Sequence, residues 1–273
     1  MDNLKAKKRH PEEIAVYSAI YVCAAFSVLL LLGIIVYVFA KGARRVNWAF
    51  LTGVTSILHG TVGIAGNILN TLIIILLTMI ITTPIGVGAA IYLNEYAKPG
   101  KLVTVIIFAT ETLAGIPSII FGLFGMLFFG QLCHMGYSLL TGSLTLTLMV
   151  LPLVTRNTQE ALKTVPDSFR TGAVGLGAGK WYTIRTILLP SAMPGIVTGV
   201  ILAIGRIIGE SAALLFTAGS AHLLPKTFDA FLEKIFHSGG TLTIQLYLSA
   251  SKGEFEVASV SYTHLTLPTN SRV

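Results

Sequence analysis

Charged side chains are scarce in this chain. Asp, Glu, Lys and Arg make up 11% of its 273 residues, whereas about 25% is usual for soluble domains. Hydrophobic residues account for 53%, and the mean hydropathy is +0.78. So few charges exclude an ordinary water-soluble domain, and apolar runs of about 20 residues are long enough to cross a bilayer as helices. The composition therefore predicts an all-α, polytopic helical membrane protein.

The chain also lacks the motifs of several kinds of active site. Its two cysteines, Cys23 and Cys133, have no partner at a metal-ligand spacing, and its six histidines are scattered. The sequence contains no nucleotide-binding G-x4-G-K-[ST], no H-E-x-x-H and no G-x-S-x-G. We therefore expect no metal site, no cofactor, no catalytic residues and no ATPase site in this chain.

Long apolar runs predict five transmembrane helices, at 14–40, 68–93, 102–129, 137–154 and 194–218. The first run follows a basic tail but is too long for a signal peptide and has no convincing cleavage site, so we expect a retained anchor. Beyond residue 218, no run reaches the roughly 18 apolar residues that a sixth span requires.

The basic residues predict the orientation, because Lys and Arg favour the cytoplasmic side of a membrane protein. With the N-terminus inside, eleven of them fall on the inner side and six on the outer side. The net charge of +7 does not predict nucleic-acid binding, since the basic residues form no single patch interleaved with aromatic residues. We expect contact with membrane lipid and no contact with nucleic acid.

The segment 171–190, TGAVGLGAGKWYTIRTILLP, contains the spacing G-x9-I-x-L-P between two very apolar runs. Glycine adopts backbone angles that other residues avoid, so it allows two short helices to meet at a sharp turn, and proline suits the first turn of a new helix. We expect a short helical knob whose apolar contacts are Val174, Leu176, Trp181 and Ile184.

That spacing resembles the "EAA" cytoplasmic loop of ABC importer permeases, the membrane subunits that a separate ATPase drives. Three further blocks resemble the PstA-type permeases of phosphate-specific ABC transporters: GIAGNILNTLIIILLTMIITTPIGVGAAIYLNEYA at 63–97, AGIPSIIFGLFG at 114–125 and GRIIGESAAL at 205–214. The resemblance implies a type I ABC importer permease fold. It also implies an ATPase-coupling loop that contains Thr171, Gly172, Ala173, Gly177, Trp181, Ile187, Leu189 and Pro190.

The resemblance further implies an assembly in a bacterial inner membrane that imports inorganic phosphate. Its other members would be a second permease like PstC, two copies of an ATPase like PstB, and an extracytoplasmic phosphate-binding protein like PstS. Permeases for sulfate, molybdate or another small solute are the alternatives within the same class. A secondary transporter is the alternative from another class, although the sequence shows no clear internal repeat.

Two departures from the family pattern stand out. Thr171, Gly172 and Ala173 replace Glu-Ala-Ala, so the loop lacks its acidic residue. Near the fifth span, the family's G-E-T-A-P reads GESAA at 209–213. Without the proline, we expect no proline kink there.

Ionisable residues inside the apolar runs are the main candidates for the translocation path, because charges in hydrocarbon are costly and usually serve a pathway or a partner. These residues are Glu111, Arg206 and Glu210, and Ser118 joins them as a polar residue that lines the path or bonds to its own helix. Arg206 and Glu210 are four residues apart, so on a helix they would pair. A buried ion pair that fixes helix packing is the structural alternative.

We divide the chain into a cytosolic tail at 1–13, a transmembrane permease domain at 14–218 with the coupling loop at 156–190, an outer segment at 219–258, and a tail at 259–273. That tail is Ser/Thr-rich and does not continue the family resemblance. We expect it to be a non-native or frameshifted replacement for the sixth span, and 239–258 to form a short helical piece outside the membrane.

Overall fold

The computed structural model of the chain describes residues 11–43, 46–56, 61–98, 100–225 and 228–251. Within these ranges the chain is mostly helical, with one small antiparallel hairpin. The elements, in chain order, are α1 (Pro11–Gly42), α2 (Trp48–Thr52), β1 (Val54–Ser56), β2 (Thr61–Ile64), α3 (Ala65–Ile91), α4 (Lys101–Gly115), α5 (Ser118–Gly125), α6 (Leu139–Thr164), α7 (Asp167–Gly175), α8 (Lys180–Thr183), α9 (Leu189–Gly209), α10 (Ala212–Thr217), α11 (Phe228–Lys234) and α12 (Leu242–Ser251).

Three segments with the wider π-helical turn continue these helices. Tyr92–Tyr96 extends α3, Met126–Leu132 extends α5, and Ile184–Leu188 joins α8 to α9. Four described helical segments are long and apolar enough to cross a membrane: Ala15–Tyr37, Ala65–Tyr96, Leu139–Thr164 and Lys180–Gly209. A bent pair, Lys101–Gly115 with Ser118–Leu132, makes five if it counts as one span. The predicted class, all-α and polytopic, is confirmed.

The third predicted span, 102–129, is two helices rather than one. They meet at 102°. The helix α4 ends at Gly115, and Ile116 is extended because the ring of the following Pro117 disfavours a helical conformation there. The helix α5 then begins at Ser118. A hydropathy profile does not detect this bend, since every residue around it is apolar or small.

The predicted bounds of the last two spans also differ from the structure. The helix α6 continues past 154 to Thr164 although its last turns are polar. The fifth helix begins at Lys180 instead of 194 and ends at Gly209 instead of 218. Pro190 lies in the first turn of α9, but the helix before it is unbroken. Its ring crowds the carbonyl group of residue 186, and the wider π-helical turn around that residue relieves the crowding.

The helix α6 lies at the centre of the bundle, packed between α3 and α9. Glycines face it at the closest points: Gly86 of α3 lies against Val154, Gly195 of α9 against Ala161, and Gly199 of α9 against Asn157. Small residues allow membrane helices to approach this closely. The core around α6 includes Ile74, Leu139, Leu146, Val150, Val154, Ala203, Ile207 and Leu214.

Two buried asparagines of α3 hold the segment after α10 against the bundle. The Asn67 side-chain amide donates to the carbonyl groups of Gly240 and Thr241, at 3.0 and 3.3 Å. The Asn70 amide donates to those of Ala221 and Gly240, at 3.1 and 3.0 Å. Both side chains are almost completely buried, so these bonds hold the predicted outer segment on α3 at Ala221 and again at Gly240 and Thr241.

The short helical piece predicted at 239–258 contains α12, which has 10 residues and is too short to cross a bilayer. Residues 252–273, including the proposed non-native tail, lie outside the described residues. So does the basic N-terminal tail, Lys5, Lys7, Lys8 and Arg9. The orientation of the chain and the domain bounds remain predictions.

The contact between α6 and α9 can be tested with Gly199→Ala. A methyl group on Gly199 would lie 2.7 Å from Cβ of Asn157, which is backbone-anchored and cannot swing aside. We expect overpacking that lowers the free energy of unfolding by about 1–3 kcal/mol. Gly205→Ala on the same helix is the matched control, because nothing lies within 4 Å of its added methyl group. Equal thermal stability of the two variants in detergent would contradict the packing described.

Candidate functional site

The chain leaves the helical conformation at Glu210, between α9 and α10. Glu210 is extended (φ −80°, ψ 125°), and its carboxylate accepts a hydrogen bond from the backbone N–H of Ala213 at 3.1 Å. Its carbonyl oxygen accepts one from the Thr243 hydroxyl at 2.8 Å. The break therefore occurs without a proline, and the prediction of one continuous span at 194–218 was wrong at this point. A capping carboxylate and a bond to α12 stabilise a break that needs no proline.

This break also contradicts the predicted pairing of Arg206 with Glu210. The two residues would face each other only on a continuous helix, and α9 ends at Gly209. Across the described ranges, no ion pair or hydrogen bond joins Arg206 to Glu210 or to Glu111. The Arg206 side chain is exposed on this chain and Glu210 is half-buried, so the described residues contain no buried ion pair between these two side chains.

Arg206 and Glu111 instead line the same cavity. It has a volume of about 220 Å³ and lies between α4, α6 and α9. Its polar wall consists of Thr110, Glu111, Arg156 and Arg206, and its apolar wall of Ala114, Met149, Pro152 and Leu153. The structure therefore brings two of the four predicted path residues together and adds Arg156, which sequence reasoning assigned only to the loop after the fourth span.

The height of Arg206 follows from the packing of α9 on α6. Gly195 lies against Ala161 and Gly199 against Asn157. The two helices are therefore antiparallel, and a step of four residues up α9 corresponds to a step of four residues down α6. Continuing this register places Arg206 level with residue 150, close to the midpoint of Leu139–Thr164.

Ser118 lies apart from this cavity. It is the first residue of α5, directly after the bend at Pro117, and it is half-buried. In the first turn of a helix a serine has no preceding turn of its own helix to bond to, so the back-bonding alternative does not apply. Ser118 is not among the residues that line the Arg206 cavity.

The knob predicted after the fourth span is formed by α7, α8 and the turn between them, residues 167–183. Gly177 has the left-handed conformation, with φ of +79°. Its N–H donates to the carbonyl group of Val174, and the N–H of Ala178 to that of Ala173, both at 2.9 Å. This pair of bonds is the Schellman motif, which ends a helix at a glycine and turns the chain. The sharp turn expected at Gly177 is present.

The surface of the knob differs in part from the predicted one. Leu176 is 91% exposed, and Val174 and Trp181 are also exposed. Ile184 is only 1% exposed and packs with Leu162, Leu188 and Ile196, so its prediction as an outward contact was wrong. Ile184 belongs to the helix that leaves the knob, and its side chain turns toward α6. Tyr182 and Phe169 are exposed apolar residues that the sequence analysis missed.

The remaining residues of the predicted coupling loop divide between the surface and the core. Thr171, Gly172 and Pro190 are exposed, Ile187 and Leu189 are half-buried, and Ala173 is buried. The Thr171 hydroxyl donates to the carbonyl group of Asp167 at 3.2 Å, so it bonds within its own helix. A partner that binds the knob would therefore contact Thr171 and Gly172 but not Ala173.

Arg170 anchors the knob to the rest of the bundle. Its guanidinium lies 2.9 Å from the Glu95 carboxylate, at the end of the segment that extends α3, and also donates to the carbonyl groups of Leu162 and Val165, both at 3.0 Å. It pairs with Asp167 as well. The hydrogen bonds that Arg170 donates to the Glu95 carboxylate are the main reason that the pKa of Arg170 is raised. The guanidinium therefore stays charged.

A second contact lies on the other side of the turn. The Lys180 ammonium, in α8, lies 4.7 Å from the centre of the Tyr96 ring, which is within the range of a cation–π interaction. Glu95 and Tyr96 belong to the polar segment NEYAKPGK at 94–101, between two apolar runs. Glu95 is an internal anchor there. No sequence signal pairs it with Arg170, which lies 75 residues further along.

Comparisons with known proteins agree with this architecture. Residues 82–244 match the family described as "Binding-protein-dependent transport system inner membrane component". The chain is 37% identical over 237 residues to the probable ABC transporter permease protein YqgI of Bacillus subtilis, covering 85% of this chain and 81% of that protein. It is 41% identical over 157 residues to the phosphate transport system permease protein PstA of Yersinia pestis, covering 57% of this chain and 52% of that protein.

Another relative is the phosphate transport system permease protein PstA homolog of Mycoplasma pneumoniae. It is 37% identical over 231 residues, covering 82% of this chain but only 34% of that protein. The chain thus spans about a third to a half of these two phosphate permeases. Among solved structures, an inward-facing form of the MetNI methionine ABC transporter superposes with a TM-score of 0.54 at 19% identity, covering 74% of this chain and 85% of that one. At this identity the likeness shows the fold alone.

The Arg170–Glu95 anchor can be measured with a double-mutant cycle of Arg170→Gln and Glu95→Gln. The Arg170 side chain is 24% and the Glu95 side chain 9% exposed, so solvent screens the pair little. We expect a coupling of about 1–3 kcal/mol in the free energy of unfolding. Arg156 and Glu160 form the control pair, because their side chains are 63% and 61% exposed and should couple by at most about 0.5 kcal/mol. Equal coupling in both cycles would contradict the anchor.

Proposed function

The chain belongs to the family of binding-protein-dependent transport system inner membrane components, and we propose that it is the permease subunit of an ATP-driven importer for inorganic phosphate. Membership of this family implies a multi-pass membrane protein that works with an ATPase and a substrate-binding protein. It also disfavours a secondary transporter, which uses neither. In the proposal this chain forms half of the translocation path and does not itself hydrolyse ATP.

Phosphate is the proposed substrate because the relatives and the cavity point to the same chemistry. Several relatives with 37–41% identity are phosphate permeases by name. The observation that carries the proposal is that Arg206 and Glu111 line one cavity level with the middle of α6. A guanidinium presents paired donors that match phosphate oxygens, and it keeps its charge.

Glu111 supports phosphate over the sulfate and molybdate alternatives. At neutral pH, phosphate carries at least one proton that it can donate to a carboxylate, whereas sulfate carries none. A carboxylate beside the arginine therefore accepts a hydrogen bond from hydrogen phosphate and repels sulfate. Glu210 does not share this role in the proposal, because its carboxylate caps α10. Ser118 lies near the bend, where it would contact phosphate only before or after the Arg206 cavity.

The knob is the proposed docking site for the ATPase. Its exposed residues include Val174, Leu176, Trp181 and Tyr182, a set of large apolar side chains on a short projecting element. Such a set fits a hydrophobic groove in a partner. With the N-terminus inside, as the distribution of Lys and Arg favours, the knob lies in the cytosol of a bacterial cell, where an ATPase can reach it.

Two further partners complete the proposed assembly. A second permease like PstC would cover the open side of the Arg206 cavity and part of α1. The apolar stretch of α1, Ala15–Tyr37, is not buried within this chain, so it is accessible to such a partner. Two copies of an ATPase like PstB would bind the knobs of the two permeases. A phosphate-binding protein like PstS would deliver phosphate at the outer end.

Arg206→Gln tests the proposed path. Glutamine keeps some hydrogen bonding but carries no charge, so we expect phosphate uptake by the reconstituted complex to fall at least about tenfold, the equivalent of one charge-assisted hydrogen bond. Lys101→Gln is the matched control, because it removes a charge at the start of α4 outside the cavity. Normal uptake by a normally assembled Arg206→Gln complex, or equally fast uptake of sulfate by the unmodified complex, would contradict the proposal.

Gly177→Val tests the docking role of the knob. A β-branched residue cannot adopt φ of +79° without strain, so the turn between α7 and α8 should rearrange. We expect the complex to insert normally but to lose most phosphate-stimulated ATP hydrolysis and uptake. Gly179→Val is the matched control, because its φ of −67° suits any residue and nothing lies within 4 Å of an added Cβ. If both variants show the same phosphate-stimulated ATP hydrolysis and the same uptake, the knob is not the docking element.

A further inference from the structure

A second cavity adjoins the Arg206 cavity on the side of the knob. Its volume is about 160 Å³, and it shares Thr110, Glu111 and Arg156 with the first. It then continues along α6 past Gln159 and Glu160 to Lys163. The two cavities together form one groove between α4 and α6, which begins beside Arg206 and ends beside Lys163.

One face of α6 forms the long wall of this groove. The lining residues of α6 follow one another in steps of one or three from Met149 to Lys163, which places them on a single side of the helix. At 1.5 Å per residue the wall is about 21 Å long. Its half near Arg206 is apolar, whereas from Arg156 onward it is polar. Water and ions would therefore become better tolerated toward the knob.

Three cations occupy successive levels of the groove: Arg206, Arg156 and Lys163. Arg206 and Lys163 have no ion pair with any part of the chain that the structure describes. Arg156 pairs with Glu160 at 3.2 Å, but both side chains are more than 60% exposed. Such a pair is weak and readily exchanged. All three cations are therefore available to an anion in the groove, and Glu111 is the carboxylate between the first two.

We propose that this groove is the exit route of the transported anion, with Arg156 and Lys163 as binding steps that follow Arg206. The proposal rests on the proposed function and extends it from one site to a sequence of sites for a small oxyanion such as inorganic phosphate. An anion leaving Arg206 enters a more polar part of the groove at each step, so no single site holds it tightly. Glu160 holds Arg156 when the groove is empty, and the negative charges of Glu160 and Glu111 hinder rebinding of the anion.

The end of the groove lies next to the anchor of the knob. Lys163 follows Leu162, whose carbonyl group accepts a hydrogen bond from Arg170 at 3.0 Å. Leu93, which precedes Glu95 in the segment that extends α3, also lines the second cavity. A displacement of the knob would thus move two walls of the exit, which places release of the anion beside the element that the ATPase is proposed to bind.

The first experiment measures the electrostatics of the groove without transport. Cys23 and Cys133 are replaced by serine, and Gln159→Cys introduces a thiol in the second cavity of the reconstituted complex. The thiol is labelled with an anionic reagent, sulfonatoethyl methanethiosulfonate, and with its cationic trimethylammonioethyl analogue. We expect Arg156→Gln to lower the ratio of anionic to cationic labelling rates at least about threefold. Millimolar inorganic phosphate should slow the anionic reagent.

The second experiment measures phosphate uptake by the complex. Arg156→Gln and Lys163→Gln should each lower the maximal uptake rate at least about threefold, the factor expected for loss of one nearby charge. Glu160→Gln is the comparison variant for Arg156, because it breaks the same ion pair and leaves the cation in place. A threefold fall in uptake that both variants share would come from the ion pair rather than from the cation and would overturn the role of Arg156. Lys101→Gln is the control for Lys163.

The outcomes separate this proposal from the proposed function. The exit route would be overturned if Arg206→Gln loses uptake while Arg156→Gln has normal uptake and an unchanged labelling ratio. The proposal of a phosphate permease would still stand in that case. An unmodified complex that takes up no phosphate would contradict the proposed function instead. In that case the labelling ratio still decides whether the groove favours anions. If Arg156→Gln leaves the ratio of anionic to cationic labelling rates unchanged, the exit route is overturned.

Discussion

Close contact between α6 and its two neighbours is the constraint on which the candidate site depends. The backbone of α3 at Gly86, and that of α9 at Gly195 and Gly199, packs directly against side chains of α6. In a bilayer such close packing is a main source of helix association, because lipid provides no hydrophobic driving force between helices. This contact fixes the level of Arg206 relative to α6. It also leaves the opposite face of α6, from Met149 to Lys163, turned toward α4 and lined with groups that an anion can use.

The two breaks in the bundle show that the same result can have different chemical causes. At Ile116 and Pro117 the chain bends by 102° because a proline ring excludes the helical conformation of the preceding residue. At Glu210 no proline is present, and a carboxylate that caps α10 and a bond from Thr243 to the backbone stabilise the break. A helix break therefore does not require a proline, provided that other groups satisfy the freed backbone.

Hydropathy predicted the fold class and the apolar segments, and the glycine spacing predicted the turn at Gly177, because each depends on local composition or on one residue's backbone freedom. Helix bounds were less predictable: α6 runs ten residues beyond its predicted apolar span, eight of them polar, since its Ala161 and Leu162 pack against the helix that leaves the knob. The outward prediction for Ile184 failed for the same reason. Contacts between distant segments, such as Arg170 with Glu95, leave no local trace in a single sequence.

The anchor at Arg170 also has a mechanical consequence. One guanidinium bonds to the end of the α3 segment and to two carbonyl groups at the end of α6, and Lys180 adds a contact to the neighbouring Tyr96. The knob and the adjoining ends of both helices are therefore joined as one body rather than as a loop on a flexible linker. A force applied to Leu176 at its tip would act as torque on α3 and α6, so a small displacement of the knob becomes a rotation deep in the bundle.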